Sequence, residues 1–200
     1  MSGRIGVLGA VGLGLESTWG QPAAPTTYLE VTHADIRPII NYEVAQSVRG
    51  TRARRRVRSG ARLCSGPLSF DVCAGGIGEL LKATFGTATT TLVASGGGSA
   101  LYQHTFTRCD TAFPPSLTVE QNMGGLTSRQ VAGARVNQLT LSLAPGRALV
   151  ADVDCRGRDE ALVAPTSPSY PADEPLHYNG FAAETGGDWL LSSKASKATS

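Results

Sequence analysis

Residues 139–156 read LTLSLAPGRALVADVDCR, and this stretch decides the fold. Its first part alternates leucine with threonine or serine, Pro145-Gly146 follows, and a second alternating run returns. Strict alternation of apolar and polar residues is typical of a strand with one buried face, and a Pro-Gly pair is typical of a turn. The stretch therefore predicts an antiparallel hairpin that spans residues 129–144 and 147–156. The residues expected to point inward are Leu139, Leu141, Leu143, Leu149, Ala151, Val153 and Cys155, and those expected to point outward are Asp152 and Asp154.

Similar strand-like segments lie on both sides of this hairpin. In the segment 63–72, Leu68, Phe70 and Val72 alternate with polar residues and are expected to share one buried face. Glycine and proline recur along the chain, which favours many short elements joined by turns. We therefore predict a mainly β chain, with a β-sandwich or barrel over residues 25–163 and one flanking helix. The other predicted strands cover residues 26–31, 35–44, 89–94, 100–107 and 116–120.

One helix is predicted over residues 76–85. Its apolar residues fall at helical spacing, and Gly86 stands where a left-handed C-terminal cap belongs. Because the helix has only about three turns, it must pack against something larger to be stable. The side chains expected to form its packing stripe are Ile77, Leu80, Leu81 and Phe85.

The two ends of the chain differ in composition from the middle. Residues 1–24 are rich in glycine and lead into the stretch QPAAP at 21–25, so we expect a flexible N-terminal arm rather than a helix or an inner strand. Prolines recur from Pro165 to Pro175, so residues 164–200 are expected to form an extended C-terminal segment. No window of about 18 apolar residues occurs, so no membrane-spanning helix is expected.

The net charge of +2 hides an uneven distribution. Residues 1–66 carry a net charge of +5, and residues 67–200 carry a net charge of −3. Much of the positive charge lies in a stretch that we expect to form a long projecting loop over residues 45–62. The residues alone leave three roles open for this loop: nucleic-acid binding, a nuclear-localisation-type run, or pairing with carboxylates of a neighbouring subunit. Its arginines are Arg49, Arg52, Arg54, Arg55, Arg56, Arg58 and Arg62.

Motifs for catalysis or metal binding are weak. The histidines His33, His104 and His177 stand in no metal-binding spacing, and no nucleophile elbow of the form GxSxG occurs. The stretch Gly75-Gly76-Ile77-Gly78 could form an anion site where the helix begins, but the P-loop lysine is missing. The four cysteines form no CxxC pair and are expected to be reduced thiols. We therefore expect neither an enzyme nor a bound cofactor or metal.

The order of several short segments resembles the major tail tube proteins of long-tailed bacteriophages. The similarity covers roughly residues 12–157, and it rests on the order and spacing of the segments together. The segments are ESTWGQP at 16–22, GELLKATFG at 78–86, SLTVE at 116–120 and GARVNQLTLS at 133–142.

The resemblance implies a structural protein of the virion tail, assembled in the cytoplasm of the host bacterium. In that family, a β-sandwich with one flanking helix forms rings, usually hexameric, whose sheets join into a continuous inner barrel. The rings stack into a tube around a tape-measure protein, and the tube meets terminator and baseplate or tip proteins. DNA later passes through the tube.

The same resemblance suggests roles for particular residues. The loop at 45–62 falls where the family has a loop that reaches the adjacent ring, so its arginines are expected at contacts between rings or subunits. Because a passage must not hold its cargo, Asp152 and Asp154 are expected to face a lumen that repels DNA. Subunit contacts through the N-terminal arm are expected to involve Trp19, Gln21 and Pro22.

Two alternatives stay open at this point. A terminator, a connector subunit or a secretion-tube protein would share the sandwich and differ only in its form of assembly. A soluble β-sandwich module that binds carbohydrate or nucleic acid would need an exposed aromatic platform, whereas the aromatic residues here are scarce and scattered.

Overall fold

The computed structural model describes residues 9–44, 50, 57–96, 99–110, 112–124 and 126–180. This part of the chain contains eleven strands, one α-helix and a short 3₁₀ helix at Tyr178–Gly180. The helix, α1, spans Gly78–Phe85. The strands are β1 Gly9–Leu15, β2 Thr27–Leu29, β3 Val31–Ala34, β4 Arg37–Val44, β5 Val57–Asp71, β6 Gly86–Gly96, β7 Ser99–Arg108, β8 Leu117–Met123, β9 Ser128–Ser142, β10 Val150–Gly157 and β11 Asp159–Val163.

Nine of these strands form two antiparallel layers that share the long strand β9. Sheet A has the order β2-β1-β8-β9-β11 and uses the first part of β9. Sheet B runs from the later part of β9 through β10 to β5, and both β3 and β4 pair with β5. The mainly β, sandwich-like fold with one helix that the sequence predicts is therefore confirmed.

The core lies between the two sheets, where the predicted alternation is confirmed on β5 and β10. Leu68 and Phe70 on β5 are buried, as is Val72 just after it. The four residues predicted to point inward from the second arm of the hairpin are all buried: Leu149, Ala151, Val153 and Cys155. Burial of these side chains from both layers supplies the main driving force for the fold.

The first arm of the same hairpin departs from its prediction at one position. Leu139 and Leu143 are partly buried against the core, but Leu141 is 47% exposed. In sheet B the later part of β9 is an edge, so within the described chain no further strand lies beside Leu141 to cover it.

The prediction of a flexible arm over residues 1–24 is wrong for residues 9–15. These residues form β1, which lies between β2 and β8 and is largely buried. Its glycines allow the returning chain to lie close, because a Cβ on Gly12 would come 2.7 Å from Pro25 and one on Gly14 would come 2.5 Å from the Ala24 carbonyl oxygen. Glycine in this strand therefore marks a close approach of backbone rather than disorder.

The helix forms where it is predicted, and two of its four predicted packing residues contact the core. Leu80 and Ala83 are its buried residues, and Ile77, just before the first turn, packs against the core. Phe85, predicted to pack, is 40% exposed because it lies at the last position of the helix. Gly86 caps the helix as predicted, since its N–H donates to the Lys82 carbonyl, but its φ of +110° and ψ of −46° lie outside the left-handed conformation predicted for it.

The C-terminal segment follows the sandwich over residues 164–180. The Leu176 N–H donates to the Val72 carbonyl at 2.8 Å, and the Leu149 N–H donates to the Leu176 carbonyl at 2.7 Å. Farther back, the Thr166 hydroxyl donates to Glu120 at 2.8 Å. This part of the predicted extension is thus tied to the core, whereas residues 181–200 lie outside the described residues.

Candidate assembly surfaces

The predicted projecting loop over residues 45–62 is described only at residue 50 and from residue 57 onward, where β5 pairs with β4. The pairing runs from Arg37 opposite Ser65 to Val44 opposite Val57, so residues 57–62 belong to a strand rather than to a loop. The predicted contact residues Arg49, Arg52, Arg54, Arg55 and Arg56 lie outside the described residues.

The two arginines of this stretch that the structure describes lie on β5. Arg58 is opposite Glu43, and the Arg62 Nε lies 3.3 Å from an Asp159 carboxylate oxygen. Apolar side chains near the hairpin end are exposed, with Tyr42 at 64% and Val57 at 57%. Exposed apolar residues on a hairpin beyond the core suit an interface better than a free surface.

Sheet B has two edges. One edge is β4 together with β3, and the other is the later part of β9; within the described residues, neither pairs with a further strand. Strands β9, β10, β5 and β4 alternate in direction across the sheet. Unpaired edges of this kind present free N–H and C=O groups to a partner strand.

The outward face of sheet B carries the two predicted lumen acids. Asp152 is exposed and accepts a hydrogen bond from the Ser69 hydroxyl at 2.6 Å. Asp154, half-buried, accepts one from the Asn137 amide at 2.8 Å. Both carboxylates therefore point away from the core, as the alternation on β10 predicts.

A buried carboxylate, Glu16, fixes the segment that follows β1. Its Oε1 accepts hydrogen bonds from the Thr118 hydroxyl and the Gly133 N–H, each at 2.8 Å. Its Oε2 accepts from the Ser116 hydroxyl at 2.7 Å and the Gly20 N–H at 2.8 Å. Sequence reasoning missed this role, because nothing local to residue 16 shows that these four donors converge on it.

The predicted contact residues of the N-terminal arm lie in the turn that Glu16 holds. Trp19 is 50% exposed, and the Arg158 guanidinium lies 5.2 Å from the centre of its ring. Gln21 and Pro22 are exposed, and the Gln21 N–H donates to the Thr18 carbonyl at 3.1 Å. These residues thus belong to an ordered turn on the sandwich rather than to a loose arm.

Beside this turn lies an open cleft of about 530 Å³ that the sequence did not predict. We call it the arginine cleft and define it by Trp19, Arg135, Arg156 and Arg158. Arg135 and Arg156 are directly opposite each other on β9 and β10. Only the pairing register could have revealed their proximity, because they lie far apart in sequence.

Strands β6 and β7 form a separate two-stranded ribbon. Side chains of the strand pairs Ala88–Phe106, Thr90–His104 and Leu92–Tyr102 share one face, and Leu92 and Tyr102 are each 55% exposed. The opposite face is more polar and has the exposed Leu101 at its end; its polar residues are Thr87, Thr89, Thr91, Gln103, Thr105 and Thr107. Such an amphipathic ribbon is typical of a sheet with one covered face.

The described residues offer no convergent chemistry. Among them, no group of three or more His, Cys, Asp and Glu side chains could hold a metal ion. His104 lies beside the Thr90 hydroxyl at 2.9 Å, and the Gly75 N–H at the considered anion site donates to the chain's own Asp173 at 3.1 Å. No described helix is long and apolar enough to cross a membrane.

The four cysteines are free thiols, three of them buried. Burial, with a smaller effect of the Asp154 carboxylate, raises the pKa of Cys155 to about 12. Burial also raises the pKa of Cys64 and of Cys73. These thiols therefore behave as apolar core side chains and not as nucleophiles.

Comparison with known sequences gives one family. The sequence model of the family described as phage tail tube protein matches residues 6–196. No curated protein matches the chain.

Proposed function

We propose that copies of this chain, which belongs to the phage tail tube protein family, close into rings, hexameric as is usual in that family. The rings stack into the tube through which DNA leaves. As a member of that family, the chain is a structural component of the virion tail rather than an enzyme. The lumen holds a tape-measure protein during assembly, and terminator and baseplate or tip proteins meet the ends of the tube. Assembly takes place in the cytoplasm of the host bacterium.

The two unpaired edges of sheet B carry this proposal. Edge strands β9 and β4 are separated by two strands in an antiparallel sheet, so they run in opposite directions. When β4 of one copy pairs with β9 of the next, the new joint is antiparallel like all the others. Repetition of this head-to-tail joint around a rotation axis closes a barrel that has no edges left.

In such a barrel, the outward face of sheet B lines the lumen. Asp152 and Asp154 then present carboxylates to passing DNA, whose phosphates they repel. The same face carries Arg135 and Arg156 at its other end, so the repelling carboxylates line only the part of the lumen around Asp152 and Asp154.

The arginines of the β4–β5 hairpin contribute contacts between rings or between neighbouring subunits, as do Trp19, Gln21 and Pro22. Guanidinium groups suit interface pairing with carboxylates because of their planar, multi-donor geometry. Substituting Arg54, Arg55 and Arg56 together by glutamine is expected to impair tube assembly. A matched control replaces Lys82, Lys194 and Lys197 by glutamine, which removes the same charge elsewhere and should leave tubes intact.

Electron microscopy of the purified protein tests the proposal directly. We expect long hollow tubes of stacked rings. A protein that stays a stable monomer at high concentration would contradict the tube and would favour a soluble β-sandwich module instead. Closed single rings that never stack would favour a terminator or connector subunit.

A further inference from the structure

The arginine cleft lacks an anionic partner within the described part of the chain. The ion pairs among the described residues involve Arg37, Arg62, Arg108 and Arg129. None of them involves a cleft arginine, that is Arg135, Arg156 or Arg158. The Nε of Arg135 is buried and has no hydrogen-bond acceptor. A buried N–H without an acceptor is uncommon in native proteins, and it leaves the hydrogen-bonding capacity of this guanidinium group incompletely used.

Aromatic rings hold two of these guanidinium groups in place. The Arg135 guanidinium lies 4.8 Å from the centre of the Phe113 ring, and that of Arg158 lies 5.2 Å from the centre of the Trp19 ring. A guanidinium group stacked on a ring keeps its N–H edges free for a carboxylate. The cleft is therefore preorganised for an anionic group.

The opposite end of the sandwich is acidic. We call Glu30, Asp71, Asp173 and Glu174 the acidic end; the first three of these all act electrostatically on Cys73, which places them together. Within the described residues none of the four carboxylates has an ion-pair partner. Arg147 also lies near this end, but the four negative charges of the carboxylates exceed its single positive charge.

The two ends are separated along the strands of sheet B. Asp71 is opposite Val150 at the start of β10, and Arg156 lies at the other end of that strand. Six residues of extended chain span roughly 20 Å. None of the described carboxylates near the cleft forms an ion pair with a cleft arginine. Asp35, Asp159 and Glu160 pair with other arginines. Asp154 accepts a hydrogen bond from Asn137, and Glu16 accepts hydrogen bonds from four uncharged donors. The molecule is thus positive at one end of the sheet and negative at the other.

We propose that the arginine cleft of one copy binds carboxylates of the acidic end of a second copy in the next ring, so that opposite charges fix the direction of stacking. This inference rests on the proposed tube, in which the ends of the sheet B strands form the two faces of each ring. Charge complementarity between the two ends identifies the occupant as another copy of the chain.

Two double variants with opposite charge changes test this proposal. R156E/R158E changes the charge of the cleft arginines from +3 to −1, so both ends are negative. E30K/E174K changes the charge of the acidic end from −4 to 0, or to +1 when Arg147 is counted, so this end no longer attracts the cleft. Each variant alone is expected to assemble tubes at least about tenfold less than the wild type at low salt, because the attraction between rings is then lost. An equal mixture of the two is expected to restore tubes, because rings of the two kinds alternate.

The control K82E/K194E makes the same charge change as R156E/R158E at residues that belong neither to the cleft, the acidic end nor the β6–β7 ribbon, and it should assemble normally. Circular dichroism and melting temperature check that each variant is folded. If R156E/R158E does not fold, the milder R156Q/R158Q is used instead, with a loss of about fivefold expected.

Three results are decisive. Normal tubes from a folded cleft variant alone would overturn the proposal. The proposal would also be overturned if the mixture of the two variants formed no tubes under conditions in which the wild type does. Failure of the wild type to form tubes under any condition would instead contradict the proposed tube function itself.

Discussion

At the scale of single residues, Glu16 joins three parts of the chain that lie far apart in sequence. Its carboxylate accepts hydrogen bonds from the turn after β1, from the start of β8 and from the bulge in β9. Hydrogen bonds to a charged acceptor are worth more than neutral ones, and a buried donor that loses its acceptor is costly. The position of Trp19 beside the arginine cleft therefore depends on this one side chain.

Replacing Glu16 by glutamine should lower the free energy of unfolding by about 2–4 kcal/mol, because the new amide N–H₂ faces donors. Urea unfolding measures this as a lower midpoint with an unchanged slope. The control Glu43→Gln changes an exposed carboxylate on β4 and should alter stability by less than about 0.5 kcal/mol. Equal effects of the two substitutions would contradict the role assigned to Glu16.

A second prediction at this scale concerns Cys155. Burial raises the pKa of its thiol from 9.0 to about 12, so the folded state binds the proton more tightly than the unfolded state. The stabilisation is fully present below pH 9 and is lost as the pH rises towards 12. The substitution Cys155→Ala should reduce the slope of unfolding free energy against pH by up to about 1.4 kcal/mol per unit in this window. If denaturation series at pH 8 to 11 give Cys155→Ala and the wild type the same slope of unfolding free energy against pH, the prediction is contradicted.

At the scale of elements, the β6–β7 ribbon is the part least supported by the chain itself. A two-stranded ribbon is at best marginally stable alone in water, and both faces here are largely exposed. Its alternation of Leu92 and Tyr102 with threonines suits a ribbon that becomes covered on one side. In the proposed tube, another copy supplies that cover.

Hydrogen exchange should show this cover. Backbone amides of β6 and β7 are expected to exchange rapidly in the monomer and at least about tenfold more slowly in tubes. Amides of β1 and β8, which are central and buried in sheet A, serve as the internal control and should be protected in both forms. Rapid exchange of the ribbon in assembled tubes would show that it stays uncovered.

At the scale of the whole molecule, the proposed tube depends on two different forces along two directions. Around each proposed ring, sheet edges would join through backbone hydrogen bonds, which salt hardly affects. Along the proposed axis, the arginine cleft and the acidic end would attract each other through charges that salt screens. Ring formation and stacking should therefore respond differently to ionic strength.

Raising the salt concentration to about 1 M shortens the Debye length to about 3 Å, and we expect tubes to separate into intact rings. Sedimentation and electron microscopy at about 0.1 M and about 1 M salt measure the two populations. The mixture of the oppositely charged double variants should lose its tubes over the same range. Tubes that persist unchanged at high salt would mean that stacking is mainly apolar.

The sequence by itself determined those elements whose pattern is local. The alternation before and after Pro145-Gly146 specified the β9–β10 hairpin, and the spacing around Leu80 specified α1, because strand and helix periods are written in neighbouring residues. The mainly β sandwich followed from these elements, and the order of several segments pointed to the tail tube family.

Only the tertiary structure decided what depends on residues distant in sequence. Glycines that look disordered in β1 are required by the close approach of residues 24 and 25. The four donors to Glu16 meet only because β9 pairs with strands of both layers. Arg135 and Arg156 already face each other in the predicted hairpin, but only the folded chain brings Trp19 and Phe113 beside the arginines of the cleft. Local periodicity predicts on which face of an element a side chain lies, but not which distant residue it contacts. The candidate assembly surfaces consist of such long-range contacts.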